Sequence, residues 1–177
     1  MERYLKFLTD YSMTELEDTV HLNAIFHAKI TRLMIPVLAR SGKPALIINT
    51  SSAAMDGMAY QTLYGASKAF MVSFTQSIAS EMAVRKLPID VICVVPHAVQ
   101  STGLNIPTAW NIPTSYKFAK CVLDKVGGGC RVFRAYYVHQ LEKLLLDLLP
   151  EGTRQKETTR AIEEIFRKLG ERMKKTL

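Results

Sequence analysis

Two uninterrupted apolar runs constrain the fold of this chain most strongly. The first, Ala45–Ile48, follows Gly42 and Pro44, and the second, Ile89–Val95, ends at Pro96. Short continuous apolar runs between turn residues are typical of strands that are buried on both faces of a parallel sheet. The sequence therefore predicts an α/β protein with at least two parallel strands.

The segment between these runs carries a pair of residues suited to proton transfer. Tyr64 and Lys68 lie in a predicted helix that extends from Tyr64 to about Arg85. Residues four apart in a helix lie one turn apart on the same face, so the ammonium group lies near the phenol. A nearby positive charge favours the phenolate form. The Tyr-x-x-x-Lys spacing is weak evidence on its own, because it arises by chance on many helix surfaces.

A serine in front of this helix strengthens the interpretation. Ser51 lies thirteen residues before Tyr64, in the segment Asn49–Ser52 that follows the first apolar run. The carboxyl ends of parallel strands are where open α/β sheets bind ligands. A serine loop followed by a helix with Tyr and Lys therefore predicts a site for carbonyl reduction. Ser52 is the alternative hydroxyl if the register of the loop differs by one residue.

These segments together resemble the short-chain dehydrogenase/reductase family. The matching pieces are Ile47–Ser52, Tyr64–Lys68 and Asn23 within Leu22–His27. The resemblance narrows to the branch of 17β-hydroxysteroid dehydrogenases and very-long-chain 3-oxoacyl-CoA reductases through Val94–Ser101 and Asn111–Lys120. It implies the C-terminal part of a Rossmann-like doubly wound parallel sheet, with extra C-terminal helices.

The resemblance also implies roles for individual residues. Tyr64 would donate a proton to the carbonyl oxygen, Ser51 would hydrogen-bond that oxygen, and Lys68 would hold the nicotinamide ribose. Asn23 would hold a water that connects Lys68 to solvent. The implied catalytic residues are Asn23, Ser51, Tyr64 and Lys68, and the implied cofactor contacts are Tyr64, Lys68, Pro96, Val99 and Ser101. The implied cofactor is NADP(H), and the implied substrate is a 3-oxoacyl-CoA or a steroid ketone.

Composition excludes several other classes of function. The net charge is +7, but the basic residues are spread along the chain and mixed with acids, which is typical of a solvated surface. The sequence has no aromatic-interleaved basic patch and no helix-turn-helix or zinc spacing, so we expect neither nucleic-acid binding nor a metal site. Its three cysteines form no Cys-x-x-Cys pair, which indicates a reducing compartment.

The C-terminal part of the chain leaves alternatives open. We divide the sequence into residues 1–150, the catalytic segment, and residues 151–177, a basic amphipathic helix and tail. The leucine-rich stretch Leu141–Leu149 is either a core helix or a helix facing substrate or membrane. A helix from about Thr158 to Lys175 either docks on the protein or lies on an anionic membrane surface.

Two expectations concern location and partners. The ending Lys174-Lys175-Thr176-Leu177 resembles a dilysine retrieval signal, which implies the cytosolic face of the endoplasmic reticulum. The family pairs the Asn23 and Tyr64 helices across a homodimer, so the resemblance implies a dimer here. We expect no membrane-spanning helix, because no uninterrupted apolar run reaches about 18 residues.

The family's phosphate-binding motif is missing from the sequence. The nine glycines nowhere form the strand, glycine-rich turn and helix on which the family binds pyrophosphate. Without the preceding strands, Ala45–Ile48 would also lack a neighbour on one side. We therefore expect a chain without its cofactor-binding half: either a piece of a longer enzyme, or a truncated non-catalytic paralogue that acts through protein contacts.

Overall fold

The computed structural model describes residues 6–101 and 106–176, with side chains up to residue 171. Within them, strands β1 (Ala45–Thr50), β2 (Ile89–Val94) and β3 (Val132–Phe133) form a parallel sheet in the order β1-β2-β3. The helices are α1 (Met13–Val20), α2 (Phe26–Arg40), α3 (Thr62–Val84), α4 (Ser115–Leu123), α5 (Tyr137–Asp147) and α6 (Glu151–Thr176). This arrangement confirms the predicted α/β class and the parallel pairing.

The burial of the central strand β2 explains why the second apolar run is continuous. In β2, residues 91–94 are at most 3 % exposed, as a strand covered on both faces requires. Helices α2 and α3 pack on it through a cluster formed by Ile35, Ala79, Met82, Ile89 and Val91. In β3, Val132 and Phe133 pair with β2, and the following Ala135 and Tyr136 are buried.

Helices α1 and α2 are continuous through a π turn at His21–Ile25. Ser12 caps α1 in a capping box with Glu15. Contrary to expectation, the stretch Met13–Arg40 is long and apolar enough to cross a membrane. Only 17 % of its most apolar 18 residues is buried. A core helix has the same length and composition, so this finding alone is weak evidence for a membrane.

The apolar stripe of helix α2 does not face the protein. The apolar residues Ile30, Leu33 and Val37 are 45, 64 and 47 % exposed, whereas Thr31 and Ile35 are buried. Periodicity identifies an apolar face but not the neighbour that covers it. Here the smaller Thr31 side chain faces the protein and the bulkier apolar stripe faces outward.

The C-terminal helices also differ from expectation. Thr114 caps α4, which ends at Leu123. The core interpretation of the leucine stretch is wrong, because its leucines at 141, 144, 145 and 148 are 47–74 % exposed. Helix α6 begins seven residues before the predicted Thr158. It docks on the protein through buried Ile162 and through a 2.9 Å hydrogen bond from the Tyr60 hydroxyl to Glu163.

Candidate active site

Tyr64 and Lys68 lie together at the carboxyl end of β1. Both belong to the first two turns of α3, and the Lys68 Nζ lies 5.5 Å from the centroid of the Tyr64 ring. The same Nζ donates a 3.0 Å hydrogen bond to the carbonyl oxygen of Thr50, the last residue of β1. The ammonium is therefore held between the strand end and the phenol.

The two side chains differ in their exposure to solvent. Lys68 is 8 % exposed, whereas Tyr64 is 36 % exposed and presents its ring at the surface of this end of the sheet. Burial lowers the pKa of Lys68, and nearby Cys93 partly opposes that shift. The structure thus places a buried amine beside an accessible phenol.

The neighbouring serines occupy different environments. Ser51 is 1 % exposed, and its hydroxyl donates a 2.7 Å hydrogen bond to the Lys68 carbonyl oxygen. Ser52 is half-buried and begins a 3-10 turn, Ala53–Asp56, where its Oγ accepts the N–H of Ala54 at 3.2 Å. A hydroxyl that only accepts in this way keeps its own proton for a further partner.

Gly65 allows the serine turn to approach α3 closely. A Cβ atom at this position would lie 2.5 Å from the carbonyl oxygen of Ala54. Real Cβ atoms do not approach backbone oxygens so closely, so any larger residue would push the turn away from the helix. The glycine beside Tyr64 thus sets the distance between the turn that carries Ser52 and the helix that carries the Tyr–Lys pair.

Asn23 lies in the π turn, which packs against α3. There the Phe26 N–H bonds to the carbonyl of His21, five residues back, and the Asn23 amide donates 3.0 Å to the carbonyl of Thr19. Single π turns occur frequently at functional sites. The structure brings the Asn23 helix segment to the helix of Tyr64 and Lys68, while the water relay stays a prediction.

The loop after β2 adjoins the serine turn. The Ala53 N–H donates a 2.8 Å hydrogen bond to the Pro96 carbonyl, which ties the loops after β1 and β2 to each other. Pro96, Val99 and Ser101 are half-buried along this loop. The bond to Ala53 places Pro96 at the same edge of the sheet as Ser52, and the contact of all three loop residues with a cofactor stays a prediction.

Sequence reasoning missed a polar cluster beside this loop. His139 and Glu142 of α5 contact His97 and Asn111, and Arg134 joins His97 to Asp56. No spacing in the sequence links His97 to a helix about forty residues later. The described residues contain no cluster of His, Cys, Asp and Glu that could hold a metal.

The comparison with known families decides what this arrangement is. The short chain dehydrogenase family profile matches residues 4–110, which include Tyr64, Lys68 and both serines. The chain belongs to the short-chain dehydrogenase family. Its fold agrees, because a structure from a study of 7β-hydroxysteroid dehydrogenase stereoselectivity superimposes with a TM-score of 0.72 over 87 % of this chain, at 18 % identity.

Curated relatives of this short-chain dehydrogenase confirm the predicted branch. A very-long-chain 3-oxoacyl-CoA reductase of Podospora anserina is 31 % identical over 119 residues, which are 67 % of this chain and 34 % of that protein. The reductase of the same name from Bos taurus is 25 % identical over 135 residues, 76 % of this chain and 43 % of that protein.

The chain spans much less than the full length of these proteins. It covers about a third to under half of the two curated relatives and 61 % of the chain with the 0.72 TM-score. A short-chain dehydrogenase from Sphingobium yanoikuyae in complex with NADPH also matches, with a TM-score of 0.62 at 18 % identity over 82 % of this chain and 61 % of that one.

Proposed function

We propose that this chain is the catalytic part of an NADP(H)-dependent carbonyl reductase. The observation that carries the proposal is the Lys68 ammonium, anchored to the Thr50 carbonyl and 5.5 Å from the Tyr64 ring. Membership of the short-chain dehydrogenase family supports the reaction type. A nicotinamide, when bound, supplies the hydride that reduces a carbonyl carbon to an alcohol carbon.

The residues of this chain would handle the proton and the oxygen. Tyr64 donates its phenolic proton to the carbonyl oxygen, and Lys68 stabilises the phenolate that remains. An ammonium has three N–H donors, and one of those on Lys68 bonds to Thr50. The other two suit vicinal hydroxyls such as those of a ribose, so the donor set fits the proposed cofactor.

We assign the oxygen-binding hydroxyl to Ser52 rather than Ser51. Ser51 donates its proton to the Lys68 carbonyl inside the protein, whereas Ser52 is half-buried and uses only its oxygen in capping the turn. Ser52 can therefore donate to the substrate oxygen while charge develops there. Ser51 in this role is the alternative, and it requires the bond to Lys68 to break first.

The remaining assignments follow the same proposal. Asn23 would hold a water that returns protons to Lys68, because its π turn packs on α3. Pro96, Val99 and Ser101 would contact the nicotinamide from the loop after β2. The substrate would be a 3-oxoacyl-CoA, as the names of the relatives suggest, with a steroid ketone as the second candidate.

A cofactor titration tests the proposal on the chain as it is. We expect NADPH to bind with a Kd below about 1 mM, which corresponds to a binding free energy of about −4 kcal/mol. Fluorescence of the reduced nicotinamide reports binding, and a Lys68→Met variant should weaken it. Weaker binding by the wild-type chain, or equal binding by the variant, contradicts the enzyme proposal for this chain.

A non-catalytic protein that acts through protein contacts is the second candidate. It is favoured by β1, which pairs on one side only within the described residues. A relative from Danio rerio named inactive hydroxysteroid dehydrogenase-like protein 1 is 24 % identical over 145 residues, or 80 % of this chain and 44 % of that protein. This candidate predicts a stable chain that does not bind NADPH.

We further propose a homodimer and a membrane-surface location. The exposed apolar residues of α2 and α3, among them Leu33 and Phe70, would form the dimer interface.

The exposed leucines of α5 and the basic residues of α6 would contact the cytosolic face of the endoplasmic reticulum. Sedimentation of the chain with anionic vesicles tests the membrane contact. We expect a Leu144→Asp variant to lose vesicle binding and a Gln140→Asp variant to keep it.

A further inference from the structure

Two side chains on one turn of α5 hold the same pair of loop residues. His139 is fully buried, its Nε2 lies 3.1 Å from the Asn111 carbonyl, and its Nδ1 accepts the His97 N–H at 3.4 Å. Glu142, three residues later, bonds His97 Nδ1 at 2.9 Å and accepts from the Asn111 amide at 2.7 Å. Each loop residue is thus held through both its main chain and its side chain.

These contacts assign the proton positions of both histidines. His139 donates from Nε2–H and accepts at Nδ1, so it is neutral. His97 donates from Nδ1–H to Glu142, because its Nε2 accepts from the Arg134 Nε at 3.3 Å. The two rings stack with centroids 4.8 Å apart and planes 8° apart. Each ring nitrogen of His97 and His139 therefore has a hydrogen-bond partner.

The same network reaches the serine turn. Arg134 Nη2 donates to the Asp56 carboxylate at 2.9 Å, and Asp56 ends the 3-10 turn that Ser52 begins. The side chains of His97, Glu142 and Arg134 are 15, 21 and 12 % exposed, so the bonds among them are partly shielded from water, whereas Asp56 at the end of the network is 38 % exposed. An unbroken chain of contacts links α5, the loop after β2 and the turn after β1.

We propose that Glu142 and His139 are positioning residues, which act through His97 and Asn111 to fix the loop after β2 relative to the Ser52 turn. The consequence for catalysis rests on the proposed function, in which Ser52 and the loop Pro96–Ser101 face one substrate. Neither α5 side chain touches the reacting atoms. Their contribution is to hold two strand-end loops at one separation.

Hydrogen exchange of the full chain tests this proposal without requiring activity. In a Glu142→Ala variant we expect the amides of residues 97–101 to exchange about tenfold faster, because His97 and Asn111 lose buried partners. The amides of residues 91–94 in β2 should be unchanged. Glu142→Gln should lie between, since its amide oxygen still accepts one of the two bonds. Gln140→Ala, exposed on the same helix, is the matched control.

Three results would overturn the proposal: unchanged exchange at 97–101, equal acceleration in β2, or a Gln variant no better than Ala. If wild-type chain reduces a 3-oxoacyl-CoA, Glu142→Ala should raise KM about tenfold with a smaller change in kcat, since a displaced loop weakens binding. If the wild-type chain does not bind NADPH, the proposed function is contradicted. The hydrogen-exchange result then still decides whether Glu142 and His139 position the loop.

Discussion

The Ser51 hydroxyl donates a 2.7 Å hydrogen bond to the main-chain carbonyl oxygen of Lys68. This bond joins the segment that leaves β1 to the second turn of α3, and it is buried together with both residues. The proton of Ser51 is therefore used inside the protein. The adjacent Ser52 uses only its oxygen in capping the turn, which is why we propose it as the hydroxyl that acts on substrate.

Substitution of each serine should separate the two roles. Ser51→Ala should lower the free energy of unfolding by about 1–3 kcal/mol, because a buried carbonyl loses its donor. Ser52→Ala should lower kcat for carbonyl reduction by about 100-fold or more, because a donor to the developing oxyanion is lost. Urea unfolding and steady-state kinetics on both variants measure these effects. The reverse pattern would assign the substrate hydroxyl to Ser51.

Loss of the Tyr64 hydroxyl should abolish reduction while the fold is kept. Tyr64→Phe removes the proton donor, and we expect kcat to fall by about 100-fold to 10,000-fold. Tyr116→Phe is the matched control, since Tyr116 is 81 % exposed on α4 and should retain full activity. Comparable kinetics for the two variants would show that Tyr64 does not donate the proton.

Gly65 should tolerate no larger residue. Gly65→Ala places a Cβ 2.5 Å from the Ala54 carbonyl, so the serine turn must move, and we expect a loss of about 1–3 kcal/mol of stability. Gly152→Ala in α6 meets no atom within 4 Å, so it should stabilise the chain by about 0.5–1 kcal/mol through helix propensity. Thermal unfolding distinguishes them, and a stable Gly65→Ala chain would contradict the close approach.

Stability should fall on acidification because of His139. Burial chiefly, and the neighbouring His97 ring, lower the pKa of His139 from 6.5 to about 4. Between these values the unfolded chain binds a proton that the folded chain does not. The free energy of unfolding should therefore be highest above pH 6.5, fall between pH 6.5 and 4 by at most about 1.4 kcal/mol per pH unit, and lose this dependence below pH 4.

Two variants test whether His139 is the group responsible for this pH dependence, because His97 and Glu142 also face its ring. His139→Gln should reduce the slope of stability against pH between 4 and 6.5. His21→Gln, at an exposed position, should keep the wild-type slope. Urea unfolding across this range gives the slopes, and identical slopes for all three chains would show that His139 titrates normally.

The outward stripe of α2 should mediate self-association. Leu33→Glu places a charge at a position 64 % exposed in the single chain, and we expect it to convert a dimer to a monomer. Leu123→Glu on α4, where the leucine is equally exposed, is the control and should leave the mass unchanged. Sedimentation equilibrium measures the mass. A monomeric wild-type chain, or a dimer in both variants, would contradict this interface.

The sequence by itself determined the fold class and the chemical pair. The run Ile89–Val95 specifies a buried parallel strand, since such strands are covered on both faces. The run Ala45–Ile48 also forms a parallel strand, but the prediction that it is covered on both faces is wrong, because β1 is half-buried and Ile48 is 41 % exposed. Likewise, the four-residue spacing of Tyr64 and Lys68 brings them together as soon as α3 forms, because helix geometry is local. These features need no information from distant parts of the chain.

Only the tertiary structure decided which serine is accessible, which face of α2 is covered and how α5 reaches the active-site loops. The sequence favoured Ser51 and kept Ser52 as the alternative, whereas the folded chain buries Ser51 and leaves Ser52 half-buried. His97 and Glu142 are 45 residues apart, so no local period links them. Such contacts depend on how separate elements pack, and packing is a property of the folded chain as a whole.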